Sequence, residues 1–295
     1  MTSKLIGLGK LIRLEKPIGT FLLLWPTLSA FMILKDGSPT LKLVIIFCIG
    51  TFLMRSAGCV INDFFDKDFD GKVERTKERP IVTGEVSSLE AMILFFILIS
   101  LSALLLLWTN KLTVLIACMG LIIAVFYPLT KRFFKVPQFF LGLAFSWGIL
   151  MVSAAEFDRI SVTSLIMFSA CFFWILAYDT AYAMSDKEGD LSIGLNSSAI
   201  TFGKHSPALI VAFHLISLSL WSLCALLEKI SPIFYLSIFV CLGLVFMQFL
   251  LVRNEEPDKC LKAFKQNNWI GFSILVGTML PYICLLYTSP SPRDS

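Results

Sequence analysis

LEAMILFFILISLSALLLLWTNKLTVLIACMGLIIAVFYPLT, residues 89–130, decides the fold class. Two apolar runs, 89–108 and 112–130, are separated by three residues, and only Glu90 and Lys111 carry charge. Each run approaches the ~20 residues that a helix needs to cross a hydrocarbon core. The apolar residues are continuous rather than alternating, which argues against a β-barrel. A helix satisfies its own backbone hydrogen bonds in lipid, so the stretch reads as two membrane helices joined by a tight turn. The whole chain agrees. Of 295 residues, 57% are hydrophobic and 16% charged, with a mean hydropathy of +0.81. Soluble domains carry about 25% charged residues. A soluble globular enzyme, a disordered chain and a disulfide-rich secreted domain are excluded.

Working outward, nine apolar segments of spanning length are expected: 18–34, 42–62, 89–108, 112–130, 137–155, 162–183, 207–227, 232–252 and 269–287. They make an all-α polytopic membrane domain over residues 1–287. The connections fall into two alternating sets. One set is 35–41, 109–111, 156–161 and 228–231; the other is 63–88, 131–136, 184–206 and 253–268. With the N-terminus in the second set, that side holds 18 Lys and Arg against six on the other, and Arg55 lies inside a segment. The excess places the N-terminus and the second set in the cytoplasm. The net charge of +4 is topological and implies no nucleic-acid partner. The eight cysteines are scattered, form no CxxC, and read as small packing residues. The run after Lys16 lacks a small-residue cleavage site and reads as a retained helix. No Arg- and Ser-rich stretch precedes it, so a bacterial inner membrane is the expected location. Residues 288–295, TSPSPRDS, read as a disordered tail, and the abrupt change after Tyr287 marks them as foreign to the rest of the chain.

Acidic residues supply the chemistry. Asn62-Asp63-Phe64-Phe65-Asp66-Lys67-Asp68-Phe69-Asp70 sets Asp63, Asp66 and Asp70 at i, i+3, i+7, one stripe of a helix. Carboxylates so close repel unless a cation lies between them. Mg²⁺ takes oxygen ligands and is commonly shared with substrate phosphates. Asp179, Asp186 and Asp190 repeat the device at i, i+7, i+11. Asp179 lies within an apolar run, where an ionisable group is costly. DKDFD at 66–70 returns as DKEGD at 186–190, an offset of 120 residues, each after an apolar helix. This points to two related four-helix halves plus a ninth helix, with facing sites that share a diphosphate through Mg²⁺. Basic residues gather on the same side: Arg75, Lys77 and Arg79 in ERTKERP, and Lys131 one turn after Tyr127 in YPLTKR. Arg and Lys satisfy the remaining diphosphate oxygens. Arg55, inside the second segment, pairs with a membrane carboxylate or a substrate, and Arg13 is an interfacial anchor or a binding group.

These motifs carry a resemblance. The chain resembles the UbiA-type intramembrane aromatic prenyltransferases, most closely their 4-hydroxybenzoate polyprenyltransferase branch, over roughly residues 10–287. The resemblance rests on RLEKPIGTFLLLWPT at 13–27, RSAGCVINDFFDKDFDGKVERTKERPIVTGEVS at 55–87, YPLTKR at 127–132 and YDTAYAMSDKEGDLSIGLNSSAITFGK at 178–204. It implies nine helices around a central cavity, with both aspartate motifs on cytoplasmic cap loops. It implies that Asn62, Asp66, Asp70, Asp186 and Asp190 hold Mg²⁺ and diphosphate, with Asp63 a weaker metal candidate. It places Tyr127 and Lys131 near the diphosphate and Asp179 near the aromatic acceptor, and makes Arg13 the partner of the acceptor's carboxylate. Arg55, Arg75 and Arg79 complete the expected substrate-binding set.

The implied reaction is transfer of a polyprenyl group from polyprenyl diphosphate to 4-hydroxybenzoate, ortho to its hydroxyl, in ubiquinone biosynthesis. Mg²⁺ and Lys131 neutralise the leaving group, and the bilayer keeps water from the allylic cation. Three other readings compete. The acceptor can be a dihydroxynaphthoate, a homogentisate or haem, with the same fold and diphosphate site. An ion-coupled transporter requires carboxylates spread through the membrane depth, whereas here most lie at one face. A non-catalytic scaffold gives no reason for two matched acidic stripes.

Overall fold

The computed structural model describes residues 2–71 and 76–288. Twelve α-helices and one 3₁₀ turn are present, and no β-strand, among the described residues. Each of the nine expected apolar segments is a helix. In chain order the elements are α1 (Thr2–Leu11), α2 (Ile18–Leu34), α3 (Leu41–Asp70), α4 (Ser88–Leu106), α5 (Lys111–Thr130) and α6 (Gln138–Phe157). They continue as α7 (Val162–Ser185), α8 (Lys187–Ser192), α9 (Ser198–Phe202), α10 (Ser206–Leu227), α11 (Phe234–Val252) and α12 (Pro257–Thr288). Seven helical stretches are long and apolar enough to cross a membrane, among them α3 to α7 and α11. The other two expected spans differ in character. α2 is apolar but only 17 residues long, and α12 opens on Asp258, Lys259, Lys262 and Lys265 before its apolar part.

Local chemistry sets the helix starts. Ser87 and Glu90 form a capping box at α4, Asn110 accepts from the Thr113 N–H at α5, and Ser161 accepts from the Ser164 N–H at α7. α6 ends at Asp158, which takes the left-handed conformation at φ 51°. Thr288 closes α12, one residue into the segment expected to be tail; residues 289–295 lie outside the described residues.

Helices that follow one another pack together: α3 with α4, α5 with α6, α6 with α7, α10 with α11 and α11 with α12, while α12 returns to α2. α7 is the central helix, packed on α6, α10 and α12. Half of its apolar window is buried, 50%, against 11% for α5. The outward faces of α4 and α5 stay apolar, with Leu89, Ile93, Phe96, Ile97, Leu115 and Ile122 exposed, as lipid-facing helices require. Five of the cysteines, Cys59, Cys171, Cys224, Cys241 and Cys260, are buried with free thiols, consistent with packing residues.

The two loop sets expected from the sequence stay apart in space. At one end Arg132 donates to the Phe65 carbonyl at 2.7 Å, Asn196 to the Lys131 carbonyl at 2.9 Å, and Lys187 pairs with Glu255 at 2.7 Å. At the other end Thr40 bonds Glu156 at 2.8 Å, Asn110 bonds the Ala154 carbonyl at 2.5 Å, and Thr163 bonds Glu228. The Lys- and Arg-rich loops therefore share one face, which carries both aspartate motifs.

Candidate active site

The first aspartate motif lies on a helix rather than on a cap loop. α3 runs two turns past the apolar segment because Phe64 and Phe65 pack on the core formed by α1, α3 and α4. Asp63, Asp66 and Asp70 thus share one stripe and are 1%, 2% and 7% exposed. Carboxylates so buried need partners. Asp63 receives both. Arg13 Nη2 meets its two oxygens at 2.9 and 2.8 Å, and Arg79 Nη1 lies 2.9 Å from Oδ1. Arg79 also holds Asp70 at 2.5 Å. Burial pushes the Asp70 carboxyl above the usual carboxylate range, and Arg79 pulls it partly back. Lys131 forms an ion pair with Asp66 Oδ2. The other oxygen, Asp66 Oδ1, is buried and has no hydrogen-bond partner among the described residues.

The second motif breaks where a continuous helical stripe was expected. α7 ends at Ser185, Asp186 sits at φ −109° and ψ 2°, and the short α8 then carries Asp190. Asp186, Lys187, Glu188, Gly189 and Asp190 give no apolar face to extend α7. The Asp190 N–H bonds the Asp186 carbonyl at 2.9 Å, so the two carboxylates lie one turn apart at the same membrane face as the first motif. Among the described residues no group of three or more His, Cys, Asp or Glu converges as a metal cluster. The orphaned Asp66 Oδ1 is nonetheless an acceptor for a hard cation, and the all-oxygen donor set suits Mg²⁺. Asn62 lies one turn before Asp66 on the same face of α3.

Deeper in the bundle, Arg55 of α3 collects several helices around it. Its guanidinium lies 5.6 Å from the Phe145 ring centre of α6. A Cβ on Gly19 of α2 would fall 2.6 Å from Arg55 Nε, so a larger residue there would have to displace the guanidinium. Tyr127, Tyr178 and Tyr182 lie in its electrostatic reach, as does Asp179. Tyr127 lies in the electrostatic reach of Arg55, Asp179 and Asp66. Among the described residues Arg55 forms no salt bridge. Arg13 is instead committed to Asp63 and to the Lys10 carbonyl at 3.0 Å. The two arginines thus differ: Arg13 is ion-paired at the aspartate stripe, and Arg55 sits deeper in the bundle without an ion pair among the described residues. Arg75 lies outside the described residues.

One neighbour of Asp179 escaped the sequence reading. Gln138, the first residue of α6, lies beside the Asp179 side chain. Its Oε1 accepts the Ser198 N–H at 2.8 Å. The available signal was a lone amide opening an apolar run, which no spacing rule connects to a residue 41 positions away.

Comparison with known proteins agrees with this arrangement. Residues 23–272 match the model of the UbiA prenyltransferase family. A 4-hydroxybenzoate octaprenyltransferase of Psychromonas ingrahamii is 48% identical over 274 residues, 93% of this chain and 96% of the relative. A protein of the same name from Nitrosospira multiformis is 43% identical over 96% of this chain and 98% of its own length. Among solved structures, a UbiA homolog from Aeropyrum pernix K1 superposes with TM-score 0.78 at 23% identity, covering 90% of this chain and 98% of that one. A UbiA homolog from Archaeoglobus fulgidus, bound to GPP and Mg²⁺, gives 0.71 at 20% identity over 93% and 99%. A family match over most of the chain and near full-length relatives above 40% identity lead to one conclusion: this chain belongs to the UbiA prenyltransferase family.

Proposed function

We propose that this protein transfers a polyprenyl group from polyprenyl diphosphate to the ring of 4-hydroxybenzoate, ortho to the hydroxyl, in ubiquinone biosynthesis. The observation that carries the reading is the 48% identity, over 93% of the chain, to a relative named for that acceptor and an octaprenyl donor. Residues 1–287 act as one domain. Its home is a bacterial inner membrane, with the N-terminus and the aspartate motifs cytoplasmic. The 18-to-six distribution of Lys and Arg and the bacterial relatives support this.

Asn62, Asp66, Asp70, Asp186 and Asp190 would hold Mg²⁺ with the diphosphate, and the orphaned Asp66 Oδ1 supports the fit. Mg²⁺ bound there supplies Lewis-acid neutralisation of the leaving group. Lys131 and Arg79, fixed beside the same carboxylates, neutralise diphosphate oxygens as charge develops in the transition state. The allylic C–O bond breaks, and its electron pair leaves with the diphosphate. Tyr127, within electrostatic reach of both Asp66 and Arg55, lies near that centre. Arg55 takes the acceptor's carboxylate as a planar, bidentate donor, which places the ring below the aspartate motif. The ring carbon ortho to the hydroxyl forms the new C–C bond and then loses its proton. Asp179 hydrogen-bonds the phenol and guides that proton. The apolar helix bundle keeps water away from the allylic cation.

Asp63, the weaker metal candidate, is assigned a positioning role instead. Two guanidiniums saturate it, so its role is to hold Arg13 and Arg79. The transporter reading finds no support, because Asp63, Asp66, Asp70, Asp186 and Asp190 gather at one face rather than along a path. An acceptor panel tests the function. Purified protein with octaprenyl diphosphate and Mg²⁺ should prenylate 4-hydroxybenzoate, and not a dihydroxynaphthoate or homogentisate. Turnover with one of the latter alone would replace the acceptor and keep the fold.

A further inference from the structure

A groove of about 200 Å³ runs between α1 and α4, and no aspartate-motif residue lines it. Its walls are Leu8 of α1, Val86 of the loop before α4, and Ile93, Leu94 and Ile97 of α4. Lys4 and Glu90 are its two charged lining residues. Glu90, Ile93, Leu94 and Ile97 follow the spacing i, i+3, i+4, i+7, so they share one stripe of α4. Glu90 lies in the first turn, and Ile97 lies about 10 Å further along the axis. The groove is therefore charged at one end and apolar beyond it. α4 is long and apolar enough to cross a membrane, and Ile93 and Ile97 are half exposed on its outward face. The groove thus opens on the surface that lipid covers and starts near the water boundary. Water gains nothing in such an apolar slot, whereas an acyl chain already lies beside it. Lys4 pairs with Glu90 and is 66% exposed. An ammonium has three donors, so the Glu90 contact leaves others for a phosphate.

We propose that this groove is a phospholipid site. One acyl chain lies along Leu8, Ile93, Leu94 and Ile97, and the phosphate meets Lys4 beside Glu90. Continuity with the lipid-facing side of α4 favours a lipid over a protein partner. A single ammonium, already paired with a carboxylate, suits a singly charged phosphodiester better than a multiply charged diphosphate. The site lies against the helix that leads into Arg13. Leu11 is fully buried, and Arg13 donates to the Lys10 carbonyl at 3.0 Å and to Asp63 at 2.9 Å. The lipid therefore seats α1, and with it the arginine that holds the first aspartate stripe.

The test uses phosphatidylethanolamine that carries a diazirine in one acyl chain. The full-length protein is reconstituted with this lipid, extracted into detergent, washed and irradiated, so that only retained lipid labels it. Label in segment 80–111, which contains α4, should exceed label in segment 112–131 of the exposed α5 about fivefold or more. Ile93→Trp fills the groove and should lower the α4 label about tenfold. Lys4→Gln should lower it about threefold, the scale of one exposed ionic contact. If Ile93→Trp melts well below the parent, Ile97→Trp carries the same comparison. Equal label in the two segments, or α4 label that either Lys4→Gln or the folded tryptophan variant leaves unchanged, would overturn the proposal. Loss of the α4 label on adding octaprenyl diphosphate would give the groove to the prenyl chain and overturn it too.

Discussion

Lys131 and Asp66, 65 positions apart, are joined by an ion pair where α3 and α5 meet at their C-terminal ends. The carboxylate is 3% exposed and the lysine side chain 23%. Each therefore depends on the other. Lys131→Ala leaves Asp66 buried and unpaired. Its cost to folding is about 2 kcal/mol, below the ~3–5 kcal/mol of a fully buried pair because the lysine reaches solvent. Its cost to kcat is larger, on the order of 100-fold, if Lys131 meets developing diphosphate charge. Thermal melting and turnover of Lys131→Ala and Lys131→Arg check both figures. The arginine variant should recover stability before activity.

Asp63 answers to different cations. Arg13 and Arg79 hold it, so Asp63→Asn should loosen both arginines without changing the Mg²⁺ requirement. The expected result is a higher KM for polyprenyl diphosphate with the half-saturating Mg²⁺ concentration within about twofold of the parent. Asp66→Asn and Asp186→Asn should raise that concentration on the order of tenfold or more. Mg²⁺ titration of turnover separates the two classes.

Arg55, rather than Arg13, should govern the acceptor. Arg55→Leu is expected to raise the KM for 4-hydroxybenzoate roughly tenfold or more, since it removes a charge-assisted bidentate bond. Arg13→Leu should leave that KM nearly unchanged and act on stability through Asp63. Gly19→Ala should resemble a mild Arg55 variant, because the added Cβ displaces the guanidinium. Steady-state kinetics with varied 4-hydroxybenzoate distinguish the three.

The sidedness of the loops is open to direct assay. A reporter active only outside the cytoplasm should be active when joined at Asp158 or Lys229, and inactive at Lys135 or Arg253. The opposite pattern would invert the bundle and place both aspartate motifs outside.

Much of this was legible in the sequence because it is local. The first apolar segment, 18–34, coincides with α2, and the acidic stripe of α3 follows from helical spacing. Alternating loop charge gave the two faces. What was not legible is long-range pairing. Nothing in RLEKPIGT indicates that Arg13 turns back at φ 60° onto a carboxylate 50 positions away. The break at Asp186 was hidden because spacing alone cannot separate one helix from two that share a face. α12 starts twelve residues before its expected segment, at Pro257, because its charged first turns carry no apolar signal.

The most direct test of the central claim is transfer of label by membranes that contain this protein. They would receive radiolabelled 4-hydroxybenzoate, octaprenyl diphosphate and Mg²⁺, with EDTA and with Asp66→Ala and Asp186→Ala variants as controls. The expected result is lipid-soluble label that EDTA and each variant abolish, and that Mg²⁺ added after EDTA restores. Lipid-soluble label that persists in EDTA and in both variants, or its absence with folded parent protein, would contradict a metal-dependent transfer to 4-hydroxybenzoate at these aspartates.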